Sequence, residues 1–158
     1  MSGSPPPHTI SVASEVDLTD LLELMRAYCD FYDTSPSDAA LLELSRTLLA
    51  DPQREGFQLI ARDARSLAVG FATVFWSWDT TEASRIGIMN DLYVDPRARG
   101  TGLADRLIAE SLARSAARGA CRLEWQTEND NTRAQAVYDR VGGVREPFVI
   151  FTKRAPSD

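Results

Sequence analysis

Residues 90–117 read NDLYVDPRARGTGLADRLIAESLARSAA, and this stretch decides the fold. It predicts a short buried strand, then a basic turn with two glycines, then a helix. Residues 91–94 are mostly apolar and aromatic or β-branched, and the strand ends before Pro96, which has no N–H group for a sheet. From Leu103 onward apolar residues recur at helical spacing, so a helix follows the turn directly.

The turn between strand and helix predicts a binding site for a phosphate or pyrophosphate. Glycines before a helix let backbone N–H groups point into one concavity, and the helix dipole adds positive potential there. The spacing is not that of the P-loop, because Leu103 and Ala104 stand where a lysine and a serine or threonine belong. It is not the dinucleotide fingerprint either, since Arg97 replaces that motif's first glycine. A glycine turn without any ligand is the alternative explanation of residues 97–102.

The composition bounds the class of protein. The chain has 158 residues, of which 44% are hydrophobic and 25% charged, as is ordinary for one globular domain. Its net charge of −6 does not favour a nucleic-acid partner. No apolar run suits a membrane span or a signal peptide, so we expect no membrane partner and a cytoplasmic location. Cys29 and Cys121 are expected to be reduced, buried packing residues. The only histidine, His8, excludes a Ser-His-Asp or Cys-His mechanism and a His-rich metal site, so no metal is expected.

The order of elements predicts an α/β fold with a mixed sheet. A Pro-rich tail, residues 1–8, is expected to be disordered, and residues 9–158 are expected to form a single domain. A hairpin requires an antiparallel pair, whereas the strand-helix-strand unit requires a parallel pair. The predicted strands are 9–13, 57–62, 67–78, 85–94, 121–127 and 147–153, and the predicted helices are 17–32, 37–49, 103–118 and 129–141.

Two motifs in this order resemble the GCN5-related N-acetyltransferase (GNAT) superfamily. Residues 97–102, RARGTG, resemble its pyrophosphate loop, written Arg/Gln-x-x-Gly-x-Gly/Ala. Further on, Asn131, Ala134 and Tyr138, followed by the glycine pair 142–143, resemble its Asn-x-x-Ala-x-x-x-Tyr motif. Within that superfamily, the two motifs are most similar to those of the small-amine and histone-tail acetyltransferases. The resemblance implies the GNAT fold, a mixed central sheet of six to seven strands flanked by about four helices.

The resemblance also implies a reaction and a co-substrate. The expected reaction is transfer of an acetyl group from acetyl-CoA to a primary amine of a small molecule or peptide by direct attack, in a protein that is expected to be a homodimer. Backbone groups of Leu92, Tyr93 and Val94 would pair with the pantetheine arm, which Asn131 would also address. The residues expected to hold the pyrophosphate are Arg97, Arg99, Gly100, Thr101, Gly102, Leu103 and Ala104.

Roles in catalysis are assigned as hypotheses. Tyr138 is expected to protonate or hydrogen-bond the leaving sulfur, although a core aromatic is the plainer explanation of that position, as a helix cap is for Asn131. Asp91 is the nearest carboxylate that could take the proton of the amine; loss of the proton to a water chain or to solvent is the alternative. Strand alternation turns only one of Asn90 and Asp91 toward the acceptor, and a bulge would alter which. The residues expected at the acceptor are Asp30, Tyr32, Trp76 and Asn90.

Two other functions compete with this one. A non-catalytic acyl-CoA-binding sensor would keep the pyrophosphate loop but could lose the acid and the open acceptor pocket, and the presence of Tyr138 favours the enzyme. A nucleotide hydrolase is disfavoured, because the loop lacks its lysine.

Overall fold

The computed structural model describes residues 7–157, which form five strands, four α-helices and two short 3₁₀ helices. The strands are β1 (His8–Val12), β2 (Gly56–Asp63), β3 (Ala68–Asp79), β4 (Ser84–Val94) and β5 (Ala120–Glu124). The α-helices are α1 (Leu18–Phe31), α2 (Asp38–Ala50), α3 (Leu103–Ala117) and α4 (Thr132–Arg140), and the 3₁₀ helices are Glu15–Asp17 and Pro96–Ala98. Residues 1–6 of the expected tail lie outside the described residues, and β1 already begins at His8.

The chain divides into two compact units, one ending at Gln126 and the other beginning at Thr127. The first unit holds one sheet with the strand order β1-β2-β3-β4-β5. Its first three pairs are antiparallel and the β4–β5 pair is parallel, so the predicted mixed sheet is confirmed. The second unit holds α4 and the residues that follow it.

The predicted number of strands is too high, because the strand expected at 147–153 is absent. Residues 143–157 contain no helix or strand, and four successive apolar side chains there are exposed: Phe148 82%, Val149 77%, Ile150 60% and Phe151 92%. An apolar, β-branched run becomes a strand only where another strand pairs with it. Among its described residues, the unit beginning at Thr127 offers no such strand.

Strand β4 is irregular at its middle. Asp91 lies opposite Thr73 and Met89 lies opposite Val74, so Asn90 is the extra residue of a β-bulge. Residues opposite each other share a face of the sheet, so Asp91 lies on the face of Thr73 and Met89 lies on the other face, with Val74.

The parallel partner of β4 covers only part of it. Strand β5 pairs with Arg85, Gly87 and Ile88, and among residues 7–157 no strand pairs with that side of β4 beyond Ile88. The second half of β4 therefore has one open edge.

Helix α1 packs on one face of the sheet. Leu21, Met25, Ile60 and Phe71 share a buried cluster between α1, β2 and β3. Arg62 on β2 donates to Asp17 and to Asp20 at 2.7 Å each, and so ties the start of α1 to the sheet.

Helix α3 packs on the other face. A Cβ atom at Gly70 of β3 would lie 3.4 Å from Leu103 and 3.5 Å from Leu107, so the absence of a side chain there allows α3 to approach closely. Cys121 is exposed on the edge strand β5, so its predicted burial is wrong, whereas Cys29 is partly buried. Within the described part of the chain, no helix is both long and apolar enough to cross a membrane.

Candidate active site

The turn before α3 is held in shape by its own residues. The carboxylate of Asp95 accepts from the backbone N–H of Arg97 at 2.9 Å, and the hydroxyl of Thr101 donates to the carbonyl of Ala98 at 2.6 Å. Gly100 and Gly102 have φ angles of 75° and 79°, a left-handed conformation that side chains disfavour. A Cβ atom at either glycine would meet nothing within 4 Å, so the space beside the turn is open.

The turn presents a group of backbone donors that no protein atom uses. Among residues 7–157, the N–H groups of Gly100, Thr101, Gly102, Leu103 and Ala104 have no hydrogen-bond acceptor. They lie at the N-terminus of a 15-residue helix, where the helix dipole is positive. Several convergent N–H groups beside open space suit the oxygens of a diphosphate, so this turn fits the pyrophosphate of acetyl-CoA.

The two arginines of the turn differ in what they can offer an anion. Arg97 makes a double contact with the carboxylate of Asp95, at 2.8 Å from both Nε and Nη2, and this contact lowers the pKa of Asp95. Much of the Arg97 charge is therefore matched by Asp95. Arg99 donates from Nε to the carbonyl of Val94 at 3.1 Å, which leaves its outer nitrogens for other partners.

The open edge of β4 leads to this turn. Leu92 and Tyr93 lie opposite Ala72 and Phe71 on the β3 side, while their other side has no strand neighbour among the described residues. Backbone groups on such an edge can pair with an extended ligand as an added strand does.

Asp91 lies under α1 in a polar cluster. The Tyr28 hydroxyl donates to the carbonyl of Asn90 at 3.3 Å and lies near the Asp91 carboxyl. The side chain of Asn90 donates to Asp91 at 2.9 Å. Burial raises the pKa of Asp91 because it disfavours the charged form, while the neighbouring polar groups of Thr73, Asn90 and Tyr28 oppose that rise. The cluster combines a carboxylate able to take a proton with an aromatic wall.

The residues expected at the acceptor fall in two places. Tyr32 follows α1, its ring centroid 5.0 Å from that of Tyr28, and the exposed Asp30 precedes it by two residues. Tyr28 itself packs edge-on against Phe71 at 5.8 Å, on the face of the sheet that carries Asp91.

Trp76 lies elsewhere. It is three residues beyond Thr73 on a regular strand and so points to the opposite face of the sheet. There its ring contacts Phe57 at 5.5 Å and its Nε1 donates to the carbonyl of Pro52 at 2.9 Å. The structure therefore places Asp91 near Tyr28, whose ring contacts that of Tyr32, but not near Trp76.

The second motif is well formed within the second unit. Asn131 is the N-cap of α4, and its side chain accepts from the N–H of Ala134 at 3.2 Å. Tyr138 lies two turns further on and is partly buried. Gly142, with φ of 84°, ends the helix, and the N–H of Gly143 donates to the carbonyl of Tyr138 at 2.9 Å.

Two polar residues in line with Asp91 across the sheet, Gln58 and Thr73, belong to neither sequence motif. Both are buried, with 4% and 0% of their surface exposed. Their signal in the sequence is that they interrupt the apolar runs FQLIA and GFATVF, since a central strand rarely buries a polar residue without a partner.

Comparison with known proteins decides the family. The model of the acetyltransferase (GNAT) family matches residues 18–143. This chain belongs to the GNAT family. The uncharacterized N-acetyltransferase YhfO of Bacillus subtilis (strain 168) is 30% identical over 150 residues, which are 94% of this chain and 98% of that protein. The D-amino-acid N-acetyltransferase HPA3 of Saccharomyces cerevisiae (strain ATCC 204508 / S288c) is 31% identical over 121 residues, 75% of this chain and 74% of that protein. The protein is accordingly an acetyltransferase.

Solved structures share the GNAT fold. Aminoglycoside N-acetyltransferase AAC(6')-Iy, in complex with CoA, superposes with a TM-score of 0.82 at 22% identity, covering 98% of this chain and 99% of that one. A probable acetyltransferase superposes with a TM-score of 0.80 at 24% identity, covering 95% and 99% of the two chains. These likenesses confirm the predicted fold class, with five strands in place of six to seven.

Proposed function

We propose that this GNAT protein transfers the acetyl group of acetyl-CoA to the primary amine of a small molecule or peptide by direct attack. The observation that carries the proposal is the group of unused N–H donors from Gly100 to Ala104, at the end of the open half-strand 89–94. The N–H donors of the turn offer an anion site, and the half-strand that leads to it offers an extended backbone edge. A diphosphate attached to an amide-containing arm has this chemistry.

The residues of the turn and of β4 would bind the co-substrate. The N–H groups of the turn would hold the pyrophosphate, with Arg99 adding charge and the Arg97 charge moderated by Asp95. The backbone of residues 92–94 would pair with the pantetheine arm, and the resemblance to the family motif assigns Asn131 to the same arm. When bound, acetyl-CoA supplies a thioester carbonyl that an amine can attack.

The polar cluster under α1 would receive the amine. An ammonium group is attracted both by the Asp91 carboxylate and by the faces of the Tyr28 and Tyr32 rings. Asn90 and Asp30 would add polar contacts at the exposed rim. Asp91 would take one proton from the ammonium, leaving the nitrogen lone pair free to attack. We leave Trp76 out of the proposed acceptor site, because it lies on the other face of the sheet.

Tyr138 would complete the transfer by donating its phenolic proton, or a hydrogen bond, to the leaving sulfur. The backbone N–H of Leu92 would donate to the thioester oxygen as negative charge develops on it. No covalent enzyme intermediate is needed.

The test combines binding with turnover. Calorimetry should show that CoA binds whereas ATP does not, and a thiol-release assay with acetyl-CoA and a panel of D-amino acids, polyamines, aminoglycosides and peptides should find an acceptor. The panel starts from D-amino acids because HPA3 is named for that activity. Binding of CoA without thiol release from any amine would instead favour the sensor function.

We also propose that the protein is a homodimer. The support is the run of exposed apolar side chains at 148–151, since monomers seldom leave large contiguous apolar patches in water.

A further inference from the structure

Two polar side chains are buried in the centre of the sheet. Gln58 on β2 and Thr73 on β3 lie directly opposite each other, and Thr73 in turn lies directly opposite Asp91 on β4. Gln58, Thr73 and Asp91 thus form one row across three neighbouring strands. A buried polar group is retained at a free-energy cost unless it is hydrogen-bonded, so the partners within this row matter.

The hydrogen bonds in the row have a direction. Gln58 donates from Nε2 to the Thr73 hydroxyl oxygen at 3.0 Å. The same nitrogen lies 3.6 Å from the sulfur of Met25, an acceptor, which supports this orientation of the amide. Since the hydroxyl oxygen of Thr73 already accepts from Gln58, its one proton remains to be donated, and an ionised Asp91 carboxylate can only accept.

We propose that Thr73, oriented by Gln58, is a positioning residue that holds Asp91 in its ionised, proton-accepting form. The inference rests on the proposed function, in which Asp91 takes a proton from the acceptor ammonium: an N–H bond breaks, an O–H bond forms on the carboxylate, and the nitrogen keeps its electron pair. Thr73 exchanges no proton with the substrate. It fixes the carboxylate from the buried side, while Tyr28 and Asn90 contact it from the side of α1 and the rim.

The buried position makes Thr73 the donor that water cannot replace. Thr73 has no exposed surface, whereas Asn90 lies at the exposed rim. The titratable groups that face Asp91 are the Tyr28 phenol and, beyond it, the Tyr32 phenol, while the other strands of the row present only Gln58 and Thr73, which do not titrate. Burial raises the pKa of Tyr28, so this phenol stays neutral at ordinary pH. Loss of the Thr73 hydroxyl should therefore favour protonated Asp91 without a compensating charge.

The experiment uses Thr73→Val, which removes the hydroxyl at nearly constant volume, and Thr73→Ser, which keeps it. The pH profile of kcat/KM is measured with the best acceptor amine, and the Asp91 carboxyl is titrated by ¹³C NMR in the free protein. Thr73→Val should move both the acid limb and the carboxyl titration to higher pH and lower kcat/KM about tenfold at pH values on the acid limb, as loss of a hydrogen bond to a charged group predicts. Thr73→Ser should restore both curves.

A variant at Gln58 keeps the proposal testable if Thr73→Val does not fold. Gln58→Met removes the donor that orients Thr73 and should shift both curves in the same direction by less, and the double variant Gln58→Met/Thr73→Val removes both polar groups from the core together. An Asp91 titration and acid limb in Thr73→Val that match those of the active wild type would overturn the positioning role. If the wild type acetylates no amine, the proposed function fails, and the NMR titration still decides whether Thr73 controls Asp91.

Discussion

Gly102 allows the proposed anion site to be tested by a single methyl group. Its φ of 79° is left-handed, its surroundings are open, and it lies immediately before α3. Replacing it with alanine creates no clash, so the change acts through backbone strain alone. Holding an L-residue in the left-handed region costs roughly 1–2 kcal/mol.

That strain predicts the size of the effect on binding. The turn is exposed at Gly100, Thr101 and Gly102, so the free Gly102→Ala variant can relax away from the left-handed conformation. Binding of a diphosphate must then restore it. At about 1.4 kcal/mol per tenfold change, CoA affinity should fall by roughly 5- to 30-fold.

Gly119 supplies a matched control. It has φ of 89°, nothing lies within 4 Å of its would-be Cβ atom, and it follows the other end of the same helix. Gly119→Ala adds the same methyl group at a left-handed residue, and it should leave the Kd for CoA, measured by calorimetry, unchanged. If Gly102→Ala binds CoA as tightly as the wild type, or if both variants lose the same affinity, the N–H groups at the start of α3 do not hold the diphosphate.

Three further predictions concern the acceptor site, the acid and the assembly. Asp91→Asn should remove the acid limb of the kcat/KM profile; an unchanged profile would argue against Asp91 as the base. Because the folded-state pKa of Asp91 is raised, its contribution to stability is lost as pH rises through that pKa, so Asp91→Asn should be at least as stable as the wild type at pH 7 in thermal melts, and a lower Tm would contradict this. Tyr138→Phe should lower kcat by about 10²- to 10⁴-fold while CoA still binds in calorimetry, and full activity would remove the phenol from the mechanism. Phe148→Asp combined with Phe151→Asp should convert a dimer to a monomer in light scattering; an unchanged mass would exclude residues 148–151 from the interface.

The elements with strong periodicity could be predicted from the sequence, and their bounds are close to those expected. The sequence predicts a helix over residues 103–118, and α3 spans Leu103–Ala117, because an apolar face with a glycine at each end marks both boundaries locally. The prediction of a strand at 147–153 is wrong because a strand does not carry its own boundaries in this way. Strand formation depends on a neighbour, and local sequence does not reveal whether one is present.

The candidate site likewise contains features that the local sequence predicts and features that depend on the three-dimensional structure. The turn at 97–102 could be predicted because glycine spacing and helix start are local features. The pairing of Arg97 with Asp95 depends on side-chain geometry that spacing does not determine. The placement of Asp91 opposite Thr73 depends on a bulge, and the sequence indicates only that a bulge would decide between Asn90 and Asp91. The separation of Trp76 from the acceptor follows from strand alternation once the register is known.

The bulge at Asn90 also affects the tendency of this protein to aggregate through its open strand edge. An unpaired half-strand invites edge-to-edge association with any other extended chain, which is the first step toward aggregation. A bulge and a charged side chain at such an edge are devices that discourage a foreign strand from docking in register. In β4 both occur at residues 90 and 91, where the open half begins. The bulge that places Asp91 on the face of Tyr28 thus also hinders another strand from pairing with the open edge of β4.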